Sequence, residues 1–431
     1  MTSRVAAAGD KELRVCLVTQ WFPPEPVQLP IWIAEALQRR DCDVSVLTGV
    51  PNYPDGVVLE GFSPWTHLLE EVRGLRVQRS PLFPSHSRSA SGRIFNYVSW
   101  ALSASWFGRA PTRDCDVSLV YSSPATAALP ALIGKMRHGT PYVLMIQDLW
   151  PDSIFASGFI ATGWVRKAVE NIANSYVRLV YRHAGHITVI SPGMRDVLVR
   201  RGVAEDKLSL VFNWVDESVF RPCDEDRSVR SDLGLEDDDF VLMYAGNHGG
   251  AQGLRTAIEA FGRIPPDARC HLVLVGDGVE KENLVELAAR VAPRSVHFLP
   301  ACPFESMASV MAAAEVQLVS LVDDPLYHIT MPSKVQSILA CGRPVIVAAP
   351  GDAGRVVQEA NAGIAVQPGH PEDLRDAVLQ LRAMQRHKLQ GLGENGYLYY
   401  RRQMSEAVGA ERLVSVIREL AEQERAMKEM L

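Results

Sequence analysis

No two cysteines in this chain are spaced as CxxC, and its seven cysteines are scattered and odd in number. Such a pattern gives neither a disulfide framework nor a cysteine zinc site, and a reducing compartment is expected. The eleven histidines form no HxH or HExxH, so a metal hydrolase has no anchor. GxSxG is also missing, which removes the usual nucleophile elbow of an α/β-hydrolase. The loop after the first strand carries no GxGxxG, so hydride transfer from a dinucleotide loses its main support. There is no excess of positive charge either: a formal net charge of -6 argues against nucleic-acid binding driven by bulk charge. No apolar run approaches the roughly 18 residues needed to cross a bilayer. The opening "MTSRVAAAGDKEL" is too polar and short for a signal peptide, so a cytoplasmic protein that at most visits a membrane surface is expected.

What is present is a chain of 431 residues with 47% apolar and 22% charged residues, a size and balance that suit two ordinary folded domains. Short β-branched runs recur between amphipathic segments: "LRVCLVT", "DVSVLTG", "VSLVYSS", "YVLMIQD", "HITVIS" and "LSLVFN". A second series, "FVLMYAG", "CHLVLVGDG", "VHFLP", "VQLVSLV", "PVIVAAP" and "GIAVQPG", follows the charged stretch 221–239. Near-continuous apolar strands alternating with helices predict parallel sheets covered on both faces. The expectation is therefore α/β, with two tandem doubly wound Rossmann-like domains, 1–220 and 221–394, facing a central cleft. The helical tail 395–431 has two placements open to it, packed back on the first domain or hanging free.

Three strand-to-helix junctions in the second half point to an anion. "YAGNHGGAQGL" places Gly246, Gly249, Gly250 and Gly253 in one loop, and "LVGDGVEKENL" sets Gly276 and Gly278 around Asp277. Glycines there let backbone N–H groups approach a phosphate at the positive end of a helix, although a single such loop is more often just a tight turn. The third junction, "MPSKVQSILACG", opens a helix at Pro332 and Ser333, with Thr330 or Ser333 as its cap. Lys334 in its first turn opposes the macrodipole, which hints at an anionic partner, although an ordinary solvated lysine is the plain alternative.

In the first half, "MIQDLWPDSIFASG" places Gln147, Asp148 and Asp152 after a strand. Asp152 is expected to cap a helix; Asp148 has no such task. Arg88 and Arg93 precede an aromatic helix carrying Phe95, Tyr97, Trp100, Trp106 and Phe107, and Arg109 and Arg113 follow it. Seating on an anionic bilayer and packing in the core weigh evenly as readings of 88–113.

Taken in order, "WFPPE", "VLTGVPNYPDG", "QDLWPDS", "SPGMRDVLVRRGV", "VFNWVDESVFRP", "YAGNHGGAQGL", "VGDGVEKENL", "MPSKVQSILACGRPVI" and "GDAGRVVQEANAGIAV" resemble the GT-B fold glycosyltransferases of the family 4 type, and more narrowly the WbuB-like bacterial polysaccharide group. The resemblance implies a first domain that holds the acceptor and a second that holds a nucleotide sugar, UDP-linked. It also implies transfer with retention of anomeric configuration onto a lipid-linked or glycan acceptor during cell-surface polysaccharide assembly, on the inner face of the plasma membrane.

It further implies that Asn247 and Gln252 stand where the wider family has an arginine and a lysine. Charge neutralisation would then fall to Lys334, backbone amides and a helix dipole. Two family glutamates, eight residues apart, correspond to Ile329 and Ser337 here. The expected diphosphate contacts are Asn247, Gln252, Ser333 and Lys334, with Gly246, Gly276 and Asp277 near the nucleotide and Asp148 and Asp324 touching sugar or acceptor. No motif requires a metal, and the donor is a substrate, so no cofactor is expected. A catalytically silent nucleotide-sugar-binding protein and a GT-B epimerase are the rival readings.

Overall fold

The computed structural model describes residues 12–85, 90–153, 164–224 and 226–430. The opening segment up to residue 11 and Arg88 therefore lie outside the described residues. The chain divides into two compact units, one of 1–190, 194–211 and 410–431, the other of 191–193 and 212–409.

The first unit is built on an eight-stranded sheet of order β3-β4-β2-β1-β5-β6-β7-β8. Its strands are β1 (Leu13–Val18), β2 (Cys42–Gly49), β3 (Leu68–Val72), β4 (Leu75–Ser80), β5 (Val117–Ser122), β6 (Tyr142–Ile146), β7 (His186–Val189) and β8 (Leu208–Leu210). All neighbours run parallel except the hairpin β3–β4. That hairpin was not among the strands expected from sequence: in "LLEEVRGLRVQRS" β3 alternates half-buried and exposed residues as an edge strand does, so it has no apolar run. β5 and β6 are buried at every position, as apolar strands covered on both faces must be. The C-terminal helix Glu406–Glu429 groups with this unit from Ala410 onward: Lys135 pairs with Glu424, and Leu420 packs where Gly185 leaves no side chain.

The second unit carries six parallel strands in the order β11-β10-β9-β12-β13-β14, namely β9 (Phe240–Ala245), β10 (Cys270–Val275), β11 (Val296–Leu299), β12 (Val316–Ser320), β13 (Val345–Ala348) and β14 (Gly363–Ala365). Its core joins Leu242, Tyr244, Leu272, Leu274, Leu318 and Ile346 to the inward faces of the helices Leu254–Phe261 and Pro371–Arg382. Arg230, on the short helix Arg227–Asp232, is buried and donates to the carbonyls of Ala313, Glu236 and Asp239 and to the Glu315 carboxylate, tying 221–239 into this unit.

Both sheets start in the middle and reverse direction once, between β1 and β5 in the first and between β9 and β12 in the second. Open α/β sheets bind ligands beyond the carboxyl ends of their strands at such reversal points.

Candidate active site

The register of the second sheet assembles the glycine junctions. β9 and β10 pair from Phe240 with Cys270 through Ala245 with Val275, so the next residues, Gly246 and Gly276, emerge side by side. Both have positive φ, and a β-carbon on Gly276 would collide with the carbonyl oxygen of Gly246. Only glycine allows these two loops to touch. They are then cross-tied: His248 N–H donates to Asp277 O (2.7 Å) and Glu280 N–H to His248 O (2.9 Å).

Asn247 and Gln252 meet within this loop. Gln252 Oε1 accepts from Gly249 N–H at 3.1 Å and from Asn247 Nδ2 at 3.5 Å. The hydroxyl of Tyr244 donates to the Asn247 carbonyl at 2.9 Å, and the Lys334 ammonium stands 5.1 Å from the Tyr244 ring centroid. Lys334 comes from the third junction. Its helix, Ser333–Ala340, begins after Pro332 with no side chain capping the first-turn amides, so its positive end is open to an external acceptor. Thr330, one of the expected caps, instead donates to Leu326 O at 2.8 Å, and Ser333 is exposed as the first helical residue. Burial depresses the Lys334 pKa, and among the described residues no carboxylate pairs with it. A partly desolvated ammonium without an anion is costly, which gives this lysine a reason to bind one.

The two acids expected in this unit do local work. Asp277 is exposed and accepts from Gly278 N–H at 2.8 Å, with Lys281 Nζ 4.0 Å away. Asp324 accepts from Leu326 N–H at 2.9 Å and closes a turn after β12. Ser337, at an expected glutamate position, bonds back to Ser333 O and Lys334 O within its own helix. An apolar cavity of about 140 Å³ lies beside Lys334, lined by Phe220, Ala245, Met307, Met311 and Ile338.

Two family models match the chain, a glycosyl transferase 4-like domain over residues 32–214 and a glycosyl transferases group 1 domain over residues 239–383. This chain belongs to the GT-B glycosyltransferases of the family 4 type. Among its relatives is WcaI of Escherichia coli K12, named as a colanic acid biosynthesis glycosyl transferase. It is 27% identical over 364 residues, which are 82% of this chain and 88% of the relative. Among solved structures, Anabaena HepE in complex with UDP and glucose aligns with a TM-score of 0.65 at 14% identity, covering 94% of this chain and all of that one. Sucrose-phosphate synthase from Thermosynechococcus elongatus aligns with a TM-score of 0.70 at 19% identity over 95% of this chain and 99% of its own. At these identities the structural likenesses show the fold.

The transferase's first domain brings four aromatic rings together at its own strand ends, of which only Tyr97 stands out in the sequence, on its aromatic helix. Trp21 follows β1, Tyr53 follows β2, Trp150 follows β6, and Tyr97 lies on the helix Ala90–Phe107. Their rings form a row, with Tyr53 to Trp21 at 5.1 Å, Trp21 to Tyr97 at 6.1 Å and Tyr97 to Trp150 at 6.2 Å. All four are half-buried. Asp148 sits close enough to bear electrostatically on Tyr97, and Ser123 Oγ donates to it at 2.6 Å. Protein packed around the carboxyl raises the Asp148 pKa even though the residue keeps accessible surface; the Ser123 bond opposes the shift. Asp152 pairs with Arg201, and the residues whose amides it was expected to cap, from 154 on, lie outside the described residues.

Beneath the row, Gln20 Nε2 donates to Asn96 Oδ1 (2.6 Å) and Asn96 Nδ2 donates to Asn52 Oδ1 (3.1 Å), a buried amide chain. Glu25 is buried and accepts from the backbone N–H groups of Phe22 (3.1 Å), Asn52 (2.9 Å) and Tyr53 (2.9 Å), which fixes the loops bearing Trp21 and Tyr53. Burial pushes its pKa up to about 7 against those three bonds and Arg79. Among the described residues no group of three or more His, Cys, Asp and Glu side chains is placed to hold a metal ion.

Proposed function

We propose that this glycosyltransferase moves a sugar from a nucleotide-sugar donor, UDP-linked, to a lipid-linked or glycan acceptor in cell-surface polysaccharide biosynthesis, with retention of anomeric configuration. The observation that carries the donor half is the convergence of Lys334, an uncapped helix start and the Gly246–Gln252 loop at the point where the second sheet reverses. A diphosphate is the anion such a set suits: Lys334 supplies charge, while the Ser333 and glycine-loop amides and the Asn247 side chain supply directed donors. The binding of UDP by HepE supports a uridine donor here. The name of WcaI supports a polysaccharide pathway.

In this reading the protein's main catalytic work is electrostatic. Negative charge builds on the departing diphosphate, and preorganised donors around Lys334 stabilise it. The leaving phosphate oxygen takes the proton of the incoming hydroxyl on the same face, so no strong protein base is needed and no resident cofactor is required. The half-buried row Trp21, Tyr53, Tyr97 and Trp150 offers flat apolar faces to acceptor sugar rings, with Asp148 and Asn52 as polar neighbours.

The aromatic helix also supports a cytoplasmic enzyme seated on the inner face of the plasma membrane. One face, with Asn96, Trp100, Ala101 and Ala104, is buried; the other exposes Phe95, Val98, Leu102 and Trp106 in one helical ridge, with the Arg109 guanidinium 3.9 Å over the Trp106 ring. No described helix is long and apolar enough to cross a membrane. An exposed apolar ridge beside cations fits an anionic lipid interface.

The test is incubation of the purified protein with a panel of nucleotide sugars and lipid-linked acceptors. Transfer with release of the nucleoside diphosphate supports the reading. Tight donor binding without turnover would point to the silent protein, and conversion of the donor to an epimer without acceptor would point to the epimerase.

A further inference from the structure

A second basic site lies in the first domain, and none of its lining residues belongs to the aromatic row. The helix Trp164–His183 and the segment 200–207 enclose a cleft of about 640 Å³ whose lining includes Arg178, Arg182, Arg200, Arg201 and Lys207 and, among the described residues, no carboxylate. Its floor is apolar, formed by the buried Val177 and Tyr181.

The ordinary explanation covers part of this. Cations gather at helix C-termini, and Lys207 does so here, donating to the carbonyls of Arg182 (3.4 Å) and Ala184 (3.1 Å). Arg201 is held by Asp152 and by the Trp150 carbonyl at 3.0 Å. Arg178, Arg182 and Arg200 have no acid paired with them among the described residues, and all three are exposed. The acids near these arginines along the chain, Asp196, Glu205 and Asp206, do not line the cleft, and Glu205 pairs with Arg195 at 3.4 Å. Arg178 and Arg182 are also four residues apart on one helix face, a like-charge spacing that destabilises a helix when nothing neutralises it.

We propose that this cleft binds a phosphate-bearing group of at least two negative charges. Guanidinium groups converging from two elements match phosphate oxygens in pairs, and Asn174 adds an amide donor at the same wall. The group is either the headgroup of an anionic phospholipid or a soluble phosphate ester. The proposal stands apart from the donor site, since it concerns another domain and other residues.

The test uses the full-length protein with Lys334→Ala to remove the donor lysine. Calorimetric titration with inorganic pyrophosphate, and co-sedimentation with phosphatidylglycerol or phosphatidylcholine vesicles, are compared with and without the pair Arg178→Gln and Arg182→Gln. A control pair, Arg290→Gln and Arg294→Gln, removes equal charge from exposed positions of the second domain. The expected result is loss of at least about tenfold in affinity with the cleft pair and little change with the control. Loss seen with pyrophosphate identifies a soluble phosphate ligand; loss confined to phosphatidylglycerol vesicles identifies the lipid headgroup. Equal behaviour of the cleft and control pairs in both assays overturns the proposal.

Discussion

The Lys334 ammonium lies 2.6 Å from where a β-carbon on Gly246 would stand. The lysine can fold over the glycine loop only because residue 246 has no side chain, and the φ of +142° at that position disfavours any other residue. Gly246→Ala is therefore expected to displace Lys334 and weaken nucleotide-sugar binding by about tenfold, while the backbone strain costs on the order of 1–3 kcal/mol of stability. Calorimetric donor titration alongside urea unfolding separates the two effects. Unchanged donor affinity would show that Lys334 need not lie over the loop.

His248 is fully buried between Tyr244 and Phe298. Burial first, then Lys281, depresses its pKa below the usual 6.5. A group with a depressed folded-state pKa that is neutral when buried contributes stability above its unfolded pKa and loses it on acidification. The glycine loop is thus expected to loosen as pH falls below 6.5, and His248→Phe to lessen that sensitivity. A histidine NMR titration reads the pKa directly, and a value above 6.5 would contradict this account.

Glu25 gives the opposite sign. Its folded pKa is raised from 4.5 to about 7, so the native state holds the proton more tightly than the unfolded chain. Its stability contribution is full below about pH 4.5 and is lost as pH rises to about 7. Glu25→Gln should remove a decline on the order of 2 kcal/mol across that window, leaving a flatter profile than wild type. Urea midpoints at pH 5 and 7.5 for both proteins test it; parallel profiles would place the Glu25 pKa near its ordinary value.

The ridge Phe95, Val98, Leu102 and Trp106 is exposed, so charging it leaves the fold intact. Leu102→Glu with Trp106→Glu is expected to weaken binding to phosphatidylglycerol vesicles by tenfold or more, since burying each apolar side chain is worth roughly 1.5–3 kcal/mol. Co-sedimentation measures it, and an unchanged urea-unfolding midpoint confirms the fold. Equal binding by variant and wild type would remove this helix from the membrane contact.

Much of this was legible in the chain. Strands buried on both faces write themselves as apolar runs, so "VSLVYSS" and "FVLMYAG" were readable as parallel strands. The junctions bearing Gly246, Gly276 and Lys334 stood out because glycine and a first-turn lysine are locally unusual. What stayed hidden depends on distance along the chain. Trp21, Tyr53, Tyr97 and Trp150 come from separate elements, and only strand order brings their rings together. The aromatic helix could not be assigned to core or surface by composition, because the answer is both: Trp100 faces in and Trp106 faces out. Glu25 and His248 carry no burial signal in their local sequence, and both are buried in the fold.

In the proposed donor site Lys334 and the uncapped helix start hold the diphosphate. The most direct measurement is calorimetric titration of UDP and of uridine into wild type and Lys334→Ala. The substitution is expected to weaken UDP binding by about 1.5–3 kcal/mol, the worth of a charge-assisted contact, and to leave uridine unchanged. Equal UDP affinity in the two proteins, or an equal loss for uridine, would contradict it.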